Sequence, residues 1–240
     1  IAHGRGLIVA AFENSIAGRS VFVTGHTGFT GGWLTLWLQQ LGCKVSGLAL
    51  PPNTEPSLFK AARIDDGVAS QFGDIRDYAT VKSAIKRADP EIIIHLAAQP
   101  LVSQSFDDPV ETMASNVLGT AHVLEAARLA SNVKAVVCIT TDKVYADEAD
   151  VRPHREGDRI GGKDPYSASK AAAELIAHSY AQTLASRGNG CKIATARGGN
   201  IIGGGDWSRD RIVPDFARAI STGAPLVLRR PNAVRPWQHV

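Results

Sequence analysis

Cysteine is scarce in this 240-residue chain. Cys43, Cys138 and Cys191 are odd in number, widely spaced and form no CxxC pair. That excludes a disulfide framework and leaves no expectation of a metal site. Two of the three fall in or beside apolar runs, which reads as reduced, packed thiols in a cytoplasmic enzyme. Long hydrophobic runs are missing as well. The longest are far too short to span a bilayer, so no membrane partner is expected. "GLIVAAF", behind Arg5, is the nearest approach to a signal peptide, but Glu13 and Asn14 interrupt it and no clear small-residue cleavage site follows. Charge of one sign does not dominate: the net charge is +3, and no basic block interleaves with aromatics. Nucleic acid is therefore not an expected partner. Internal repeats and low-complexity tracts are absent.

What the chain does have is alternation. At 44% hydrophobic and 20% charged, it suits a globular protein of one or two domains with a sizeable core. "SVFVTG", "KVSGLAL", "VASQFGD", "EIIIHLAA", "VKAVVCITT" and "CKIATAR" read as six strands. Between them "FTGGWLTLWLQQLG", "SLFKAARI", "YATVKSAIKRA", "PVETMASNVLGTAHVLEAARLA" and "YSASKAAAELIAHSYAQTLAS" read as helices. Strands separated by helices of this length imply right-handed crossovers and a parallel sheet covered on both faces. The expected fold is α/β, a Rossmann-like doubly wound parallel sheet. Past Arg197 the pattern loosens into a Gly-rich loop, "GGNIIGGGDW", a helix, "RIVPDFARAIS", and a short strand, "PLVLRR".

One turn is rich in glycine. "TGHTGFTGG" sets Gly25, Gly28 and Gly31 between the first strand and the first helix. A helix N-terminus offers free N–H groups and a positive dipole end to an anion, and glycine lets the backbone come close. At the first junction of a run of βα units this favours a dinucleotide pyrophosphate over a plain turn. The spacing is GxxGxxG, not GxGxxG. No acidic residue follows the second strand. Pro51, Pro52 and Asn53 stand there, and Asn53 can still bond a ribose hydroxyl. No Arg stands there either, so the residues alone leave NAD and NADP open. Asp74 and Ile75, in "GDIRD", suit an adenine edge or the approach to a helix starting near Asp77 equally well. "HLAAQP" ends the fourth strand in small residues, Ala97 and Ala98, against which a cofactor can lie. His95 in that strand reads as a packed core histidine.

Two clusters offer chemistry. In "DPYSASK", Tyr166 and Lys170 are four apart at a helix start and share a face. A free tyrosine, with a pKa of about 10, is a poor base near neutrality, and a nearby cation favours its phenolate. The pair suits removal of a proton from a sugar hydroxyl while hydride leaves the same carbon. The bland alternative is an exposed Tyr–Lys pair. In "TTDKVY", Thr141, Asp142 and Lys143 follow a strand end, where open parallel sheets bind ligands. An acid and a base there add a proton-transfer step, and a solvated turn with an exposed ion pair fits the position equally well.

Together these stretches resemble the extended short-chain dehydrogenase/reductase superfamily, within it the nucleotide-sugar dehydratases, and most closely the CDP-glucose 4,6-dehydratases. "VFVTGHTGFTGGWL", "PSLF", "GDIRD", "HLAAQPLV", "NVLGT", "TTDKVY", "DPYSASK", "GNIIGGGDW" and "RPWQHV" carry the likeness, from Val21 to the last residue. Lys143 stands where the dTDP-glucose relatives have Glu. The resemblance implies bound NAD, contacted by Gly25, Thr27, Gly28, Phe29, Asn53, Asp74, Ile75, Ala97, Ala98, Gln99, Asn116, Tyr166 and Lys170. It implies an internal redox reaction on CDP-glucose. Tyr166, with Lys170, deprotonates the C4 hydroxyl as hydride leaves C4, and Thr141 holds that oxygen. Asp142 acts as acid toward the departing C6 hydroxyl, and Lys143 or a water it holds takes the C5 proton. An ordinary ammonium, with a pKa of about 10.4, cannot accept a proton. Lys143 must therefore be perturbed by its surroundings or else steady an enolate. Hydride then returns to C6, giving CDP-4-keto-6-deoxyglucose.

Asn200, Arg211 and Arg235 are the implied substrate contacts, the arginines suited to a diphosphate. Asn116 is implied to support the active-site edge of the sheet, and a homodimer through the long helices is expected by analogy. The organisation that follows is a leader of uncertain structure over 1–19, an NAD-binding domain over 20–197, and the incomplete start of a substrate-binding domain over 198–240. Gly198-Gly199 and Val144-Tyr145 are mild departures from the family's usual Ala-Gly and Cys-Tyr. The larger departure is the end: the chain stops at "RPWQHV", where relatives continue, so poor turnover of CDP-glucose is expected from these 240 residues. Another nucleotide-sugar dehydratase, a 4-epimerase, or a non-catalytic NAD-binding module are the competing readings.

Overall fold

Val21, Phe22 and Val23 are consecutive and all buried. A strand turns alternate residues to opposite faces, so an unbroken apolar run belongs in a sheet covered on both sides. The computed structural model describes residues 10–146, 152–186, 190–228 and 231–240. In it β1 (Ser20–Thr24), β2 (Lys44–Ala49), β3 (Ala69–Phe72), β4 (Ile92–His95), β5 (Ala135–Thr141) and β6 (Lys192–Gly198) form one parallel sheet in the order β3-β2-β1-β4-β5-β6. Val21 pairs with Val45 on one side and Ile92 on the other, so β1 is central and the chain reverses its direction of winding at β1/β4.

The connections are helices: α1 (Phe29–Gln40), α2 (Leu58–Ala61), α3 (Tyr78–Ala88), α4 (Val102–Asp107), α5 (Pro109–Met113), α6 (Gly119–Leu129) and α7 (Pro165–Ser186). The alternation of β1 sorts the core into two. Val21, Val23, Val45 and Ile94 meet Leu38 of α1 and Ile16 of a helical segment at 10–16. Phe22, Leu48, Ile93 and Val136 meet Val81 and Ile85 of α3, Val123 and Leu124 of α6 and Ala177 of α7. Asp77 caps α3, accepting from Ala79 N at 3.0 Å, as its place before an amphipathic run suggests. Beyond β6 come β7 (Asn200–Ile202), α8 (Ile212–Thr222) and β8 (Trp237–His239), with β7 and β8 paired in a second, two-stranded sheet.

Four local expectations differ from what forms. The long helix expected after Asp108 is broken in its hydrogen bonding by a π turn at Ala114–Leu118, between α5 and α6. Helix α4 was not foreseen, because "VSQSFD" carries no apolar stripe. "PLVLRR" forms no strand over its described residues, 225–228, which are mostly exposed. A run without a neighbouring edge has no ladder to join. The second sheet instead takes Asn200–Ile202 from the supposed Gly-rich loop and pairs it with Trp237–His239, both too short for periodicity to register.

Candidate active site

The ends of β1 and β4 open the site. Gly25 follows β1 with φ +80, and a Cβ there would stand 2.8 Å from Ala97 N. Only glycine allows both the turn and the approach of the strand ends. A Cβ on Gly31 would be 2.1 Å from Gly25 O, so the third glycine lets α1 pack onto the turn. Gly28 is the N-cap of α1 and gives it no side-chain cap, and the first turn holds no acidic residue. The leading N–H groups of α1 are thus left to an anion, which is what a dinucleotide pyrophosphate requires. NAD therefore fits the turn. Thr27 donates its hydroxyl to Leu50 O at 2.8 Å, tying the turn to the end of β2. Phe29 packs against the buried cluster of Leu58, Phe59 and Ile64.

The remaining cofactor candidates divide. Ala97 is held by its N–H on Thr24 Oγ1 at 3.1 Å, and Ala98 is half-buried beside it. Asn53 is exposed beyond β2. The Asp74 carboxylate accepts the Arg76 main-chain N–H at 2.8 Å and its side chain at 2.8 and 2.5 Å. Those bonds hold its carboxyl below the usual range, the Arg76 side chain acting most strongly. Ile75 is buried in the core, so its side chain is committed there. His95 is the packed core histidine expected: Nδ1 lies 2.7 Å from Thr24 Oγ1 and Nε2 3.0 Å from Thr120 Oγ1. Burial, and then the Lys170 cation, push it down to about 3, so it is neutral.

Asn116 lies in the π turn, 1% exposed. Its Oδ1 accepts Gln99 N at 2.8 Å, and its Nδ2 donates to Gln99 O at 3.1 Å and Ser169 Oγ at 2.8 Å. Ser169 in turn donates to Tyr166 O at 2.7 Å. One amide thus links the end of β4 to the helix that carries Tyr166. The extra residue of a π turn is a frequent device for aiming a side chain at a functional site.

Tyr166 lies in the first turn of α7, buried, with Thr141 at the end of β5 among the groups that act on its hydroxyl. Burial pushes its pKa up, opposed by the Thr141 hydrogen bond and the Arg211 charge, with Asp142 and Asp164 adding to the rise. The expected lowering by Lys170 is not what this arrangement produces. Lys170 Nζ donates to Ile139 O at 2.9 Å, and burial brings its pKa down to about 8. Desolvation dominates the Tyr166 shift, and the cation that opposes it is Arg211, from beyond β6. Arg211 is aimed by Asp206 at 3.1 Å. Thr141 heads a 3₁₀ turn, Asp142–Val144, donating to Asp142 Oδ1 at 3.0 Å. Asp142 and Lys143 lie 3.9 Å apart and are half-buried, 29% and 33% exposed, so they are not a fully solvated turn. Asn200 begins β7, its N–H on Pro236 O at 3.0 Å. Arg235 is exposed and bonds Val234 O at 3.0 Å.

Glu174 was missed, although it stands four residues past Lys170 and so on the same face. Its carboxylate is 5% exposed and accepts Thr140 Oγ1 at 2.5 Å and Arg197 Nε at 2.8 Å. Arg197 lies 4.6 Å over the Tyr145 ring, which stacks on His154 at 4.2 Å. Thr140 and Arg197 are register partners on β5 and β6, so the cluster clamps α7 to both strands. Among the described residues no group of three or more His, Cys, Asp or Glu is placed to hold a metal, and no helix is long and apolar enough to cross a membrane.

The sequence pattern of the NAD dependent epimerase/dehydratase family matches residues 21–240. The chain belongs to this family. It is 46% identical over 232 residues to the CDP-glucose 4,6-dehydratase of Salmonella typhimurium strain LT2, covering 95% of this chain and 65% of that protein. The chain thus spans just under two thirds of that relative's length. Solved members superpose on the fold. The UDP-glucose 4-epimerase of Thermus thermophilus, in complex with NAD, gives a TM-score of 0.79 at 29% identity, over 91% of this chain and 70% of that one. The Streptomyces venezuelae dTDP-glucose 4,6-dehydratase DesIV, with NAD and TYD bound, gives 0.77 at 26% identity, over 91% and 67%.

Proposed function

We propose that the chain carries the cofactor-binding part and the proton-transfer groups of an NAD-dependent 4,6-dehydratase acting on CDP-glucose. In this reading residues 20–197 hold the cofactor and 198–240 begin the substrate side, and the protein works as a cytoplasmic homodimer. The observation that carries it is that α7, which bears Tyr166 and Lys170, is bonded through Lys170 Nζ to Ile139 O of β5, the strand whose last residue, Thr141, heads the Asp142–Lys143 turn. One site then holds a base for oxidation and an acid and an amine for elimination. NAD, held by the Gly25–Phe29 turn, supplies reversible acceptance of hydride.

The chain's own residues supply the protons. Tyr166 takes the C4 hydroxyl proton, and Thr141 orients that oxygen. Lys170, four residues past Tyr166, is anchored on Ile139 O at 2.9 Å and keeps most of its charge at neutral pH, its pKa being brought down to about 8 by burial. Lys143 takes the C5 proton or steadies the enolate, and Asp142 protonates the departing C6 hydroxyl. Arg211 suits the diphosphate, since a guanidinium matches phosphate oxygens in pairs.

The test feeds CDP-glucose and UDP-glucose to the chain grafted onto the rest of the Salmonella relative. A 4-keto-6-deoxy product from CDP-glucose is expected. A C4 epimer formed without loss of water, from either sugar, assigns the site to the epimerases instead.

A further inference from the structure

Gly25, His26 and Thr27 are consecutive, and each ties the Gly-rich turn sideways to the outer strands. Gly25 N–H donates to Leu48 O at 2.9 Å, and Thr27 Oγ1 to Leu50 O at 2.8 Å. His26 reaches furthest, with Nε2 2.7 Å from Ser70 Oγ on β3. Its imidazole is 0% exposed. It meets Phe59 edge-on at 5.7 Å and lies against Gly47 of β2, where a Cβ would stand 2.5 Å from Nδ1. The strand is bare of a side chain just where the ring lies. Nδ1 approaches the Leu48 main chain without completing a hydrogen bond.

A ring with no exposed surface cannot touch a ligand, so His26 does no chemistry. Simple filling does not explain an imidazole either. An apolar side chain of similar volume would occupy the gap without burying an unpaired nitrogen, which is costly. What the imidazole adds is a rigid arm with a hydrogen-bonding tip at fixed reach.

We propose that His26 is a positioning residue for the dinucleotide, a strut from the Gly-rich turn to Ser70 that sets the height of the Gly25–Gly28 backbone over the sheet. It thereby places the N–H groups offered to a pyrophosphate. This rests on the NAD reading above. Gly47 is its counterpart, the gap that admits the ring. Burial pulls the imidazole down to about 4, against the Leu48 main chain, so the strut is neutral near pH 7.

Calorimetric titration of the 240-residue chain with NADH tests this, with thermal melting alongside. Ser70→Ala removes only the partner of the tip and is expected to weaken NADH binding about five-fold, the loss of one neutral hydrogen bond. Gly47→Ala drives a methyl group into the ring and is expected to weaken binding further. The double variant Gly47→Ala/His26→Ala is expected to bind better than Gly47→Ala alone, because the ring it displaces is gone. A purely structural histidine predicts lower melting temperatures with wild-type affinity in every folded variant, and that result overturns the inference while leaving the proposed function standing. Full additivity of Gly47→Ala and His26→Ala overturns it too. A wild-type chain that binds no NADH overturns both.

Discussion

Tyr166 and Lys143 should fail at different steps if the proposed division of labour holds. In the grafted chain, Tyr166→Phe removes the proton acceptor, so no NADH absorbance should appear after CDP-glucose is mixed in. Lys143→Met keeps the stem and loses the amine, so NADH should accumulate beside a stalled 4-keto sugar. Each defect should be large, about 10²–10⁴-fold in turnover. Near-normal turnover of Lys143→Met in a single-turnover trace would reduce Asp142–Lys143 to a turn. The buried histidines make a separate prediction. His95 and His26 are held at about 3 and about 4, against an ordinary 6.5. The unfolded chain therefore binds the extra protons. Their contribution is present above pH 6.5 and is lost as pH falls from there toward 4. Each proton changes stability by about 1.4 kcal/mol per pH unit, so roughly 2 kcal/mol should disappear between pH 6 and 5. Urea midpoints at pH 7, 6 and 5 measure it, and a flat profile contradicts two neutral buried imidazoles.

Among elements, α7 is the one whose placement matters most, because it carries Tyr166 and Lys170. Two of its polar ties are built on buried side chains. Asn116 grips its first turn through Ser169, and the Glu174–Arg197 pair grips it one turn past Lys170. A buried ion pair is weak evidence for net stability, but removing one partner leaves the other charge stranded. Glu174→Ala should therefore cost about 3–5 kcal/mol of unfolding free energy, while Glu174→Leu combined with Arg197→Met should cost far less. Denaturant titrations of the single and double variants decide this, and equal losses would mean that the clamp packs by shape alone.

The whole molecule presents a Gly-rich turn leading into an uncapped helix start, and a long helical flank. The 240-residue chain should bind NAD(H) more tightly than NADP(H), since no Arg stands at the end of β2, just past Leu50, to hold a further phosphate. Calorimetry with both cofactors checks it, and equal or tighter NADP(H) binding refutes it. The stretch from α4 to α6 leaves Phe106, Val110 and Leu118 exposed at 63%, 77% and 56%. A helix flank of that kind fits a second copy of the chain. Light scattering should find a dimer, and Val110→Glu with Leu118→Glu should give monomers. A monomeric wild type at micromolar concentration contradicts the proposal.

Sequence alone determined what is local and repeated. The alternation of apolar runs and amphipathic segments specifies the parallel sheet, because strand and helix periods are properties of neighbouring residues. The glycines of the first turn and the Tyr166/Lys170 spacing were legible for the same reason. Tertiary structure decided whatever depends on burial and on residues far apart in the chain. It brought His26 to Ser70, Glu174 to Arg197, and β7 to β8. It also set the direction of the Tyr166 shift: a helical neighbour promised a cation, but desolvation depends on what the rest of the chain lays over the phenol. The cation that opposes that desolvation, Arg211, comes from beyond β6, and no spacing along the chain could have placed it there.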